Sequence, residues 1–400
     1  MTDVFKKAVA ELNLDRSDWQ LVKFGDVAIQ QKQSVDRENT KLTRYVKGEH
    51  MYSEDIHLRE WGELKDEYLG PAFTRKFEEG DILYGSRRTY LRKVVIAPFE
   101  GITSNTTFVI KANEERIDKR LLPFIMLSEG FSQHSIKNSK GSVNPYVNWK
   151  DLAGYEFLLP PLTLQNEISD LLSSLDTLKE TEIVLTNKSQ TIYESFVKEN
   201  CLKNRGTSIK LSDIIERLDS GVSVNSEEGR LTTGDKGILK TSAVSYGFFD
   251  PNEYKKVRVD ELSRLKSKVQ KNTIIISRMN TPELVGANAY VEGVHDNLYL
   301  PDRLWQTYIS REDVNVKFLW LILSSKLYRT KISMLCSGTS NSMKNISKES
   351  FLSLKVCIPN KSYQDKIVTQ VEQIEKSKSD LVTKLQSSIK LQNSIINKVF

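Results

Sequence analysis

Two long stretches of this chain lack both glycine and proline and repeat apolar residues at helical spacing, and they constrain the fold more than any other feature. The first runs from Leu162 to Arg205, and the second follows Pro359. A helix of about 35 to 40 residues is about 50 to 60 Å long. Because a lone helix of that length would expose its apolar stripe, the pattern predicts that the two helices pair as a coiled coil.

The predicted contact stripe takes one residue from every turn or two of each helix. Its members are Ile168, Leu171, Leu175, Leu178, Leu185 and Ile192 in the first helix and Ile367, Ile374, Leu381, Leu385, Ile389 and Ile396 in the second. Polar residues that can fix the register also fall at inward positions, namely Glu182, Ser189, Lys378 and Gln392. The alternative is two unrelated amphipathic helices, each packed on its own domain.

The chain also contains an internal repeat. Three pairs of residues lie 199 positions apart, namely Pro160 and Pro359, Gln165 and Gln364, and Ile168 and Ile367. In each copy a short apolar strand, Glu156 to Leu159 or Lys355 to Ile358, ends at the proline, and a helix follows. Upstream, Lys23 to Val27 is similar to Lys210 to Ile214 at a spacing of 187. The repeat predicts one architecture that carries two different surfaces.

Runs rich in β-branched residues between these landmarks predict that both halves are α+β, with strands at Asp81 to Tyr84 and Thr273 to Ile276 among others. The link between the halves, Lys203 to Ser208, is short, so the second helix begins where the first ends and the two are antiparallel. This connectivity predicts two domains in pseudo-two-fold repeat at opposite ends of a helical rod. The predicted segments are a domain at 1–161, a spacer helix at 162–205, a domain at 206–360 and a spacer helix at 361–400.

Composition excludes some classes of protein. The three cysteines, Cys201, Cys336 and Cys357, show no disulfide or zinc pattern, and the four histidines show no metal-ligand spacing. No apolar run approaches the ~20 residues that cross a bilayer, and the first residues lack a signal core, so we expect a cytoplasmic protein without a membrane partner. The formal net charge of +6 permits nucleic-acid binding without requiring it.

Cationic, amide and hydroxyl side chains gather in loops beside predicted strand ends. Arginine pairs with guanine, asparagine with adenine, and lysine or arginine with phosphates, so these loops are candidates for DNA contact. In the first half the candidates are Arg87, Arg88, Tyr90, Arg92, Lys93, Lys137, Asn138, Lys140, Ser142 and Asn144. In the second half they are Arg278, Asn280, Thr281, Arg303, Thr339, Ser340, Asn341 and Lys344. Solvated strand ends and flexible polar loops are the alternative, and for Arg303 an internal ion pair with Asp302 is favoured over base contact.

Several motifs resemble those of the specificity subunits of Type I restriction-modification enzymes. Gly80 to Val94 resembles a target-recognition-domain motif, and Pro160 to Gln165 resembles the start of that family's central conserved helix. In the second half, Ile276 to Gly286 and Leu300 to Trp305 resemble another recognition-domain type. The similarity covers essentially the whole chain, which departs from the pattern where Pro359, Asn360 and Lys361 replace Pro-Pro-Leu.

The resemblance implies that each domain is a target-recognition domain that reads one half of an asymmetric bipartite site in double-stranded DNA, and that the helices set the spacer. It implies that two methyltransferase subunits bind the helices and that restriction subunits join them. S-adenosylmethionine, ATP and Mg²⁺ are then expected in those partners, and this chain is expected to hold no cofactor and no catalytic residue.

The residues themselves offer little catalytic chemistry. Asn144, Pro145 and Tyr146 lack the second proline of an adenine methyltransferase motif, and Gly229 to Lys236 only approaches a phosphate loop because Asp235 stands where lysine belongs. Two other classes of function stay open. One is a free-standing DNA-modifying enzyme with a cryptic site, and the other is a coiled-coil protein scaffold without DNA affinity.

Overall fold

The computed structural model describes residues 14–36, 39–66, 68–203, 206–336 and 343–400. The chain forms two compact units, of which unit 1 comprises Met1–Leu185 and Leu381–Phe400 and unit 2 comprises Thr186–Asp380. Each unit therefore contains part of both long stretches. Among the described residues, no helix combines the length and the hydropathy needed to cross a membrane.

Unit 1 is built on two four-stranded sheets and one two-stranded sheet, in the orders β2-β9-β6-β7, β4-β3-β8-β5 and β1-β10. The strands are β1 (Gln20–Lys23), β2 (Ala28–Gln31), β3 (Arg44–Val46), β4 (Gly62–Glu63), β5 (Phe73–Phe77), β6 (Ile82–Gly85), β7 (Val94–Ile96), β8 (Gly101–Ser104), β9 (Thr107–Ala112) and β10 (Glu156–Leu159). The short helices are α1 (Phe24–Val27), α2 (Leu122–Leu127), α3 (Glu129–Lys137) and α4 (Trp149–Ala153), and the long helix α5 (Leu162–Cys201) follows.

Unit 2 repeats this plan, with sheets in the orders β12-β20-β16-β18, β13-β15-β14-β19, β11-β22 and β17-β21. The strands are β11 (Thr207–Lys210), β12 (Arg217–Ser220), β13 (Ser226–Glu227), β14 (Gly237–Leu239), β15 (Tyr254–Val257), β16 (Thr273–Ser277), β17 (Met279–Asn280), β18 (Asn288–Val291), β19 (Leu298–Tyr299), β20 (Leu304–Tyr308), β21 (Lys344–Asn345) and β22 (Lys355–Ile358). The helices are α6 (Val316–Ser324), α7 (Lys326–Met334), α8 (Lys348–Leu352) and the long helix α9 (Lys361–Val399). The predicted α+β repeat is confirmed.

A central strand in each unit is buried on both faces, as its uninterrupted apolar sequence favours. In β6, Ile82 lies in the core that also takes residues of the long helices, whereas Leu83 lies in a second core against the neighbouring sheet. In β16, Ile274 and Ile275 divide in the same way. Because successive side chains of a strand point to opposite faces, each central sheet is covered on both sides.

Each unit takes the start of one long helix and the end of the other into its core. In unit 1, Ile168 of α5 shares a core with Ile396 of α9. In unit 2, Val197 near the end of α5 shares a core with Val371 near the start of α9. The helices are therefore antiparallel where they meet within each unit, as the short link between the halves predicts.

The buried face of α5 agrees with the predicted stripe in one row and differs in the other. The row of Ile168, Leu175, Glu182 and Ser189 is buried or half-buried, as predicted. The prediction is wrong for the other row, because Leu171, Leu178, Leu185 and Ile192 are 41%, 46%, 44% and 58% exposed. The adjacent row of Leu172, Lys179, Thr186 and Tyr193 faces inward instead. In α9, Ile389 is a similar exception and is 38% exposed.

The physical reason for this difference is the geometry of the helix. Adjacent rows lie about 100° apart, so both can border an apolar stripe. Two polar residues of the inward face, Asp176 and Lys179, are buried at 7% and 8% exposure because they pair with each other and because His57, in a loop of unit 1, lies 2.7 Å from Asp176. The spacing of apolar residues, on which the prediction rests, contains no information about those partners.

Gln165 fastens the start of α5 to unit 1. Its side chain is 1% exposed, and its Oε1 accepts a hydrogen bond from the Asp118 amide at 2.9 Å. Its Nε2 donates to the carbonyls of Pro160, at 2.9 Å, and Arg116, at 3.3 Å. The glutamine therefore satisfies backbone groups both on the proline that ends β10 and on the loop beside the helix.

Gln364 makes the same contacts in unit 2. It is fully buried, its Oε1 accepts from the Asn315 amide at 2.8 Å, and its Nε2 donates to the carbonyls of Pro359 and Asp313, both at 2.8 Å. The repeated glutamine thus holds the start of each long helix to its unit by the same hydrogen bonds. The proline that precedes the helix supplies one of the carbonyls in each copy.

We predict that Gln165→Leu destabilises unit 1 by about 2 to 4 kcal/mol, because it leaves buried backbone donors and acceptors without partners. Unfolding in urea measures the loss of free energy, and hydrogen exchange at the Asp118 amide shows whether the loss lies at this contact. Gln373→Leu, which replaces an exposed glutamine on α9, is the matched control. Equal stability of the two variants would show that the fastening is not needed.

Candidate nucleic-acid interface

In unit 1 the structure brings together two segments that the sequence offers as separate candidates. Beyond the end of β6, the Ser86 carbonyl accepts from the Val147 amide at 2.9 Å, and the Arg88 amide donates to the Pro145 carbonyl at 2.6 Å. Arg87 forms a backbone bridge with Tyr146 in the same place. The strand end and the loop 138–146 are therefore one surface.

Side chains of this surface combine cationic, amide and aromatic groups. Arg88 Nε donates to Asn144 Oδ1 at 3.0 Å, so the two side chains orient each other. Tyr90 is 53% exposed and Tyr146 is 44% exposed. The other exposed candidates here are Arg87, Lys137, Lys140, Ser142 and Asn144. Side chains of these types are the ones that contact base edges and phosphates in other DNA-binding proteins.

Two of the candidates in the first half have internal partners that give them a structural role. Lys93 donates to the Gly48 carbonyl at 2.5 Å, and desolvation together with the positive charge of Arg88 lowers the pKa of Lys93. Asn138 donates to the His134 carbonyl at 2.8 Å. Their assignment to DNA contact stays a prediction.

Lys140 and Arg92 are also paired within unit 1. Lys140 lies 3.2 Å from the Asp151 carboxylate, and this contact lowers the pKa of Asp151. Arg92 Nη1 lies 2.8 Å from Glu54 and 3.2 Å from Glu129. The sequence could not indicate these pairs, because the partners lie 11 to 38 positions away on other elements.

Unit 2 builds its surface at the equivalent place. The Arg278 carbonyl accepts from the Ile346 amide at 3.0 Å, and Ile346 stands 199 positions after Val147. The short strands β17 and β21 pair Asn280 with Lys344. The strand end after β16 and the segment before α8 thus meet as the corresponding segments do in unit 1.

The polar side chains of this second surface are partly fixed by the backbone. Arg278 Nε donates to the Asp302 carbonyl at 2.8 Å, and Asn280 Oδ1 accepts from the Thr281 amide at 2.9 Å. Arg303 is exposed. Three candidates, Thr339, Ser340 and Asn341, lie outside the described residues.

The favoured ion pair between Asp302 and Arg303 does not form, although the structure describes both residues. Asp302 Oδ1 instead accepts from the Ser223 hydroxyl at 2.8 Å. The Arg303 carbonyl accepts from the Arg278 amide at 3.0 Å, which holds the backbone while the Arg303 side chain faces solvent. Asp302 and Arg303 lie in the turn before β20, where the Ser223 hydroxyl takes the place of the guanidinium as the partner of the Asp302 carboxylate.

Sequence reasoning missed a charged network on α5. His57 Nε2 lies 2.7 Å from Asp176 Oδ2, and Arg59 lies 2.6 Å from Glu180 and 2.8 Å from Asp55. Ligand atoms of Asp55, His57 and Glu180 all lie within 4.8 Å of one another, as a metal site would require. The Arg59 guanidinium already neutralises two of these carboxylates, which favours an ion-pair network over a cation site.

The network shifts the pKa values of its members. The hydrogen bond to Asp176 raises the pKa of His57, against the opposing effect of burial. Burial would raise the pKa of Asp176, but hydrogen bonds from His57 and Lys179 outweigh it and bring that pKa to about 2. The protonated imidazole therefore stabilises the contact between the loop and the helix.

We predict that this contact weakens as the pH rises. A raised folded-state pKa means that His57 stabilises unit 1 fully below its unfolded pKa of about 6.5 and loses that contribution as the pH passes the folded-state pKa. Unfolding free energies of the wild type and His57→Gln, measured from about pH 6 to about pH 9, should converge at the alkaline end. In unit 2, burial lowers the pKa of His295. The difference in unfolding free energy between the wild type and His295→Gln should therefore change with pH in the opposite direction, which makes this variant the control. A difference that is constant with pH would contradict the assignment.

Both units thus place a polar strand end against a loop at the same point of the same sheet, which defines a duplicated α+β protein with two equivalent polar surfaces on one framework. The family model described as Type I restriction modification DNA specificity domain matches residues 16–188 and, a second time, residues 207–391. The chain therefore belongs to this family.

Individual relatives agree with the family. The chain is 26% identical over 184 residues to the Type I restriction enzyme EcoEI specificity subunit of Escherichia coli, a match that covers 46% of this chain and 31% of that protein. It is 22% identical over 392 residues to the MjaVIII specificity subunit of Methanocaldococcus jannaschii, covering 90% of this chain and 86% of that one. The chain thus spans less than a third of the EcoEI subunit and most of the MjaVIII subunit.

Solved structures with the same fold include a chain from a study of complex assembly and conformational transition of the type I R-M system. It superimposes with a TM-score of 0.59 at 15% identity and covers 96% of this chain and 97% of that one. The S subunit of a Type I restriction-modification system from M. genitalium gives a TM-score of 0.58 at 14% identity, with coverage of 97% and 98%. At these identities the likeness shows the fold alone.

Proposed function

We propose that this chain reads an asymmetric bipartite site in double-stranded DNA, one half with each unit, and does no chemistry itself. The observation that carries the proposal is the equivalence of the two surfaces. Both lie beyond the end of a buried central strand, β6 or β16, and both pair that strand end with a polar loop. The framework is common to both units, whereas the exposed side chains differ, as two different half-sites would require.

The side chains of the two surfaces are of the types that read DNA. Arg88 carries a donor fork of the kind that matches guanine, and Asn144 and Asn280 carry amides of the kind that matches adenine. Lys137 and Lys344 offer cations for phosphates, which position a protein on the duplex without reading its sequence. The two surfaces therefore contain both kinds of group that sequence-specific binding uses.

We predict that Arg88→Ala and Arg278→Ala each weaken recognition of one half-site by about 1 to 3 kcal/mol. Methylome sequencing of cells that express the chain with its methyltransferase first identifies the motif, and binding to duplexes altered in either half then assigns each residue. Arg116→Ala removes the same charge from an exposed turn elsewhere in unit 1 and is the control. A continuous motif, or unchanged binding by both variants, would contradict the proposal.

We further propose that the long helices bind two methyltransferase subunits and that restriction subunits join that complex. Support comes from the leucine row of α5, in which Leu171, Leu178 and Leu185 are exposed at a spacing of seven residues. Apolar residues at that spacing form the seam of a coiled coil, so a helix of a partner could cover them. S-adenosylmethionine, ATP and Mg²⁺ would act in the partners, and this chain would supply none of them.

We predict that Leu178→Glu abolishes association with the methyltransferase, because it places a charge in the proposed seam. The side chain is 46% exposed, so the thermal midpoint of the isolated chain should change little. Thr177→Glu adds the same charge one residue away, outside the leucine row, and should still allow association. Co-purification of the two subunits measures both variants. Normal association of Leu178→Glu would remove the row from the interface.

A further inference from the structure

The turn that carries Tyr90 in unit 1 has an unusual backbone. Residues Thr89–Leu91 form a 3-10 turn, and the residues that flank it, Arg88 and Arg92, have φ values of 52° and 48°. Glu54, which contacts Arg92, has a φ of 57°. Together these are three of the four non-glycine residues with positive φ in the described part of the chain. Such conformations are unfavourable for residues with a Cβ and persist where surrounding contacts hold them.

Arg92 makes the contacts that hold the turn. Its Nη1 lies 2.8 Å from Glu54 Oε1 and 3.2 Å from Glu129 Oε2, and its Nη2 donates to the Leu127 carbonyl. Its own carbonyl accepts from the Glu54 amide at 3.1 Å. The side chain is 21% exposed, so much of it is withdrawn from solvent. A guanidinium with three acceptors has few donors left for DNA.

One of these partners belongs to a helix end that contacts the last turn of α9. The Glu129 amide, at the start of α3, donates to Asn397 Oδ1 at 2.7 Å. At Gly130 a Cβ would lie 2.5 Å from the Tyr155 hydroxyl and 3.4 Å from the Phe400 carbonyl, so the approach requires glycine. Contacts thus run without a gap from the turn, through Arg92 and Glu129, to Asn397.

We infer that Arg92 is a positioning residue and that the last turn of α9 sets the geometry of the recognition turn in unit 1. The chain of contacts holds Arg88 and Tyr90 in place before DNA arrives, and this preorganisation raises affinity. The inference rests on the proposed function, since it needs the surface of unit 1 to bind DNA.

Conservative substitutions separate positioning from contact. A phosphate contact is largely preserved by lysine, whereas a fork that bonds three acceptors in fixed directions is not. In the complex with methyltransferase subunits, on a duplex of the methylated motif, Arg92→Gln and Arg92→Lys should both weaken binding by about tenfold. The slope of affinity against salt concentration should stay that of the wild type, because no phosphate contact is lost.

The link to α9 has its own test. Asn397 is exposed, and Asn397→Ala should weaken binding a few-fold in the wild-type background. In the Arg92→Gln background it should have no further effect, because a double-mutant cycle gives this result for residues that act together. Recognition of the half-site of unit 2 should be unchanged in every variant, which a general loss of folding would not give.

The other outcomes are equally decisive. Wild-type affinity of Arg92→Lys combined with a shallower salt slope in Arg92→Gln would make Arg92 a phosphate contact. Independent effects of Asn397→Ala and Arg92→Gln would break the link to α9. If Arg88→Gln weakens binding while the Arg92 variants do not, the inference fails and the proposed function stands. If Arg88→Gln, Arg92→Gln and Arg92→Lys all leave binding unchanged, the DNA surface of unit 1 is misplaced.

Discussion

The buried amides of Gln165 and Gln364 are the constraint on which the rest of the structure depends. Each satisfies a backbone donor and two backbone carbonyls at the point where a sheet gives way to a long helix. Groups of this kind are expensive to bury without partners, so each helix must start where its glutamine can reach all three. That fixed start places Ile168 and Ile367 in the cores of their units.

A common framework then carries different chemistry. The central sheets have the same strand order, and their apolar residues divide between two cores in the same way. At the exposed strand ends the identities diverge, with Arg87 beside Tyr146 in unit 1 and Met279 beside Asn345 in unit 2. Selection on binding can alter such loops without disturbing the buried sheets, which suits a protein of a DNA specificity family.

The units also hold the long helices by different charged contacts. In unit 1, His57 bonds Asp176 of α5, and in unit 2, Lys317 lies 3.2 Å from Glu375 of α9. Asp176 and Glu375 are themselves 199 positions apart, so the repeat provides an acidic residue at the same place and each unit supplies its own cation. The ordinary pKa of an imidazole lies near neutral and that of a lysine ammonium does not, and the bond to Asp176 raises the pKa of His57, so the two units should respond differently to pH.

The sequence by itself determined the repeat, the α+β class and the starts of both long helices. Prolines, the spacing of apolar residues and the length of stretches without glycine or proline are all local properties of the chain. Tertiary structure decided which row of α5 faces inward, since Leu171 and Leu172 are equally apolar and His57, which pairs with Asp176, comes from a loop more than a hundred residues away. It also decided which candidate cations are held internally. Arg88 and Arg92 are indistinguishable in the sequence, but Arg92 meets two carboxylates and a carbonyl that only the fold brings within reach, while Arg88 stays exposed beside Asn144.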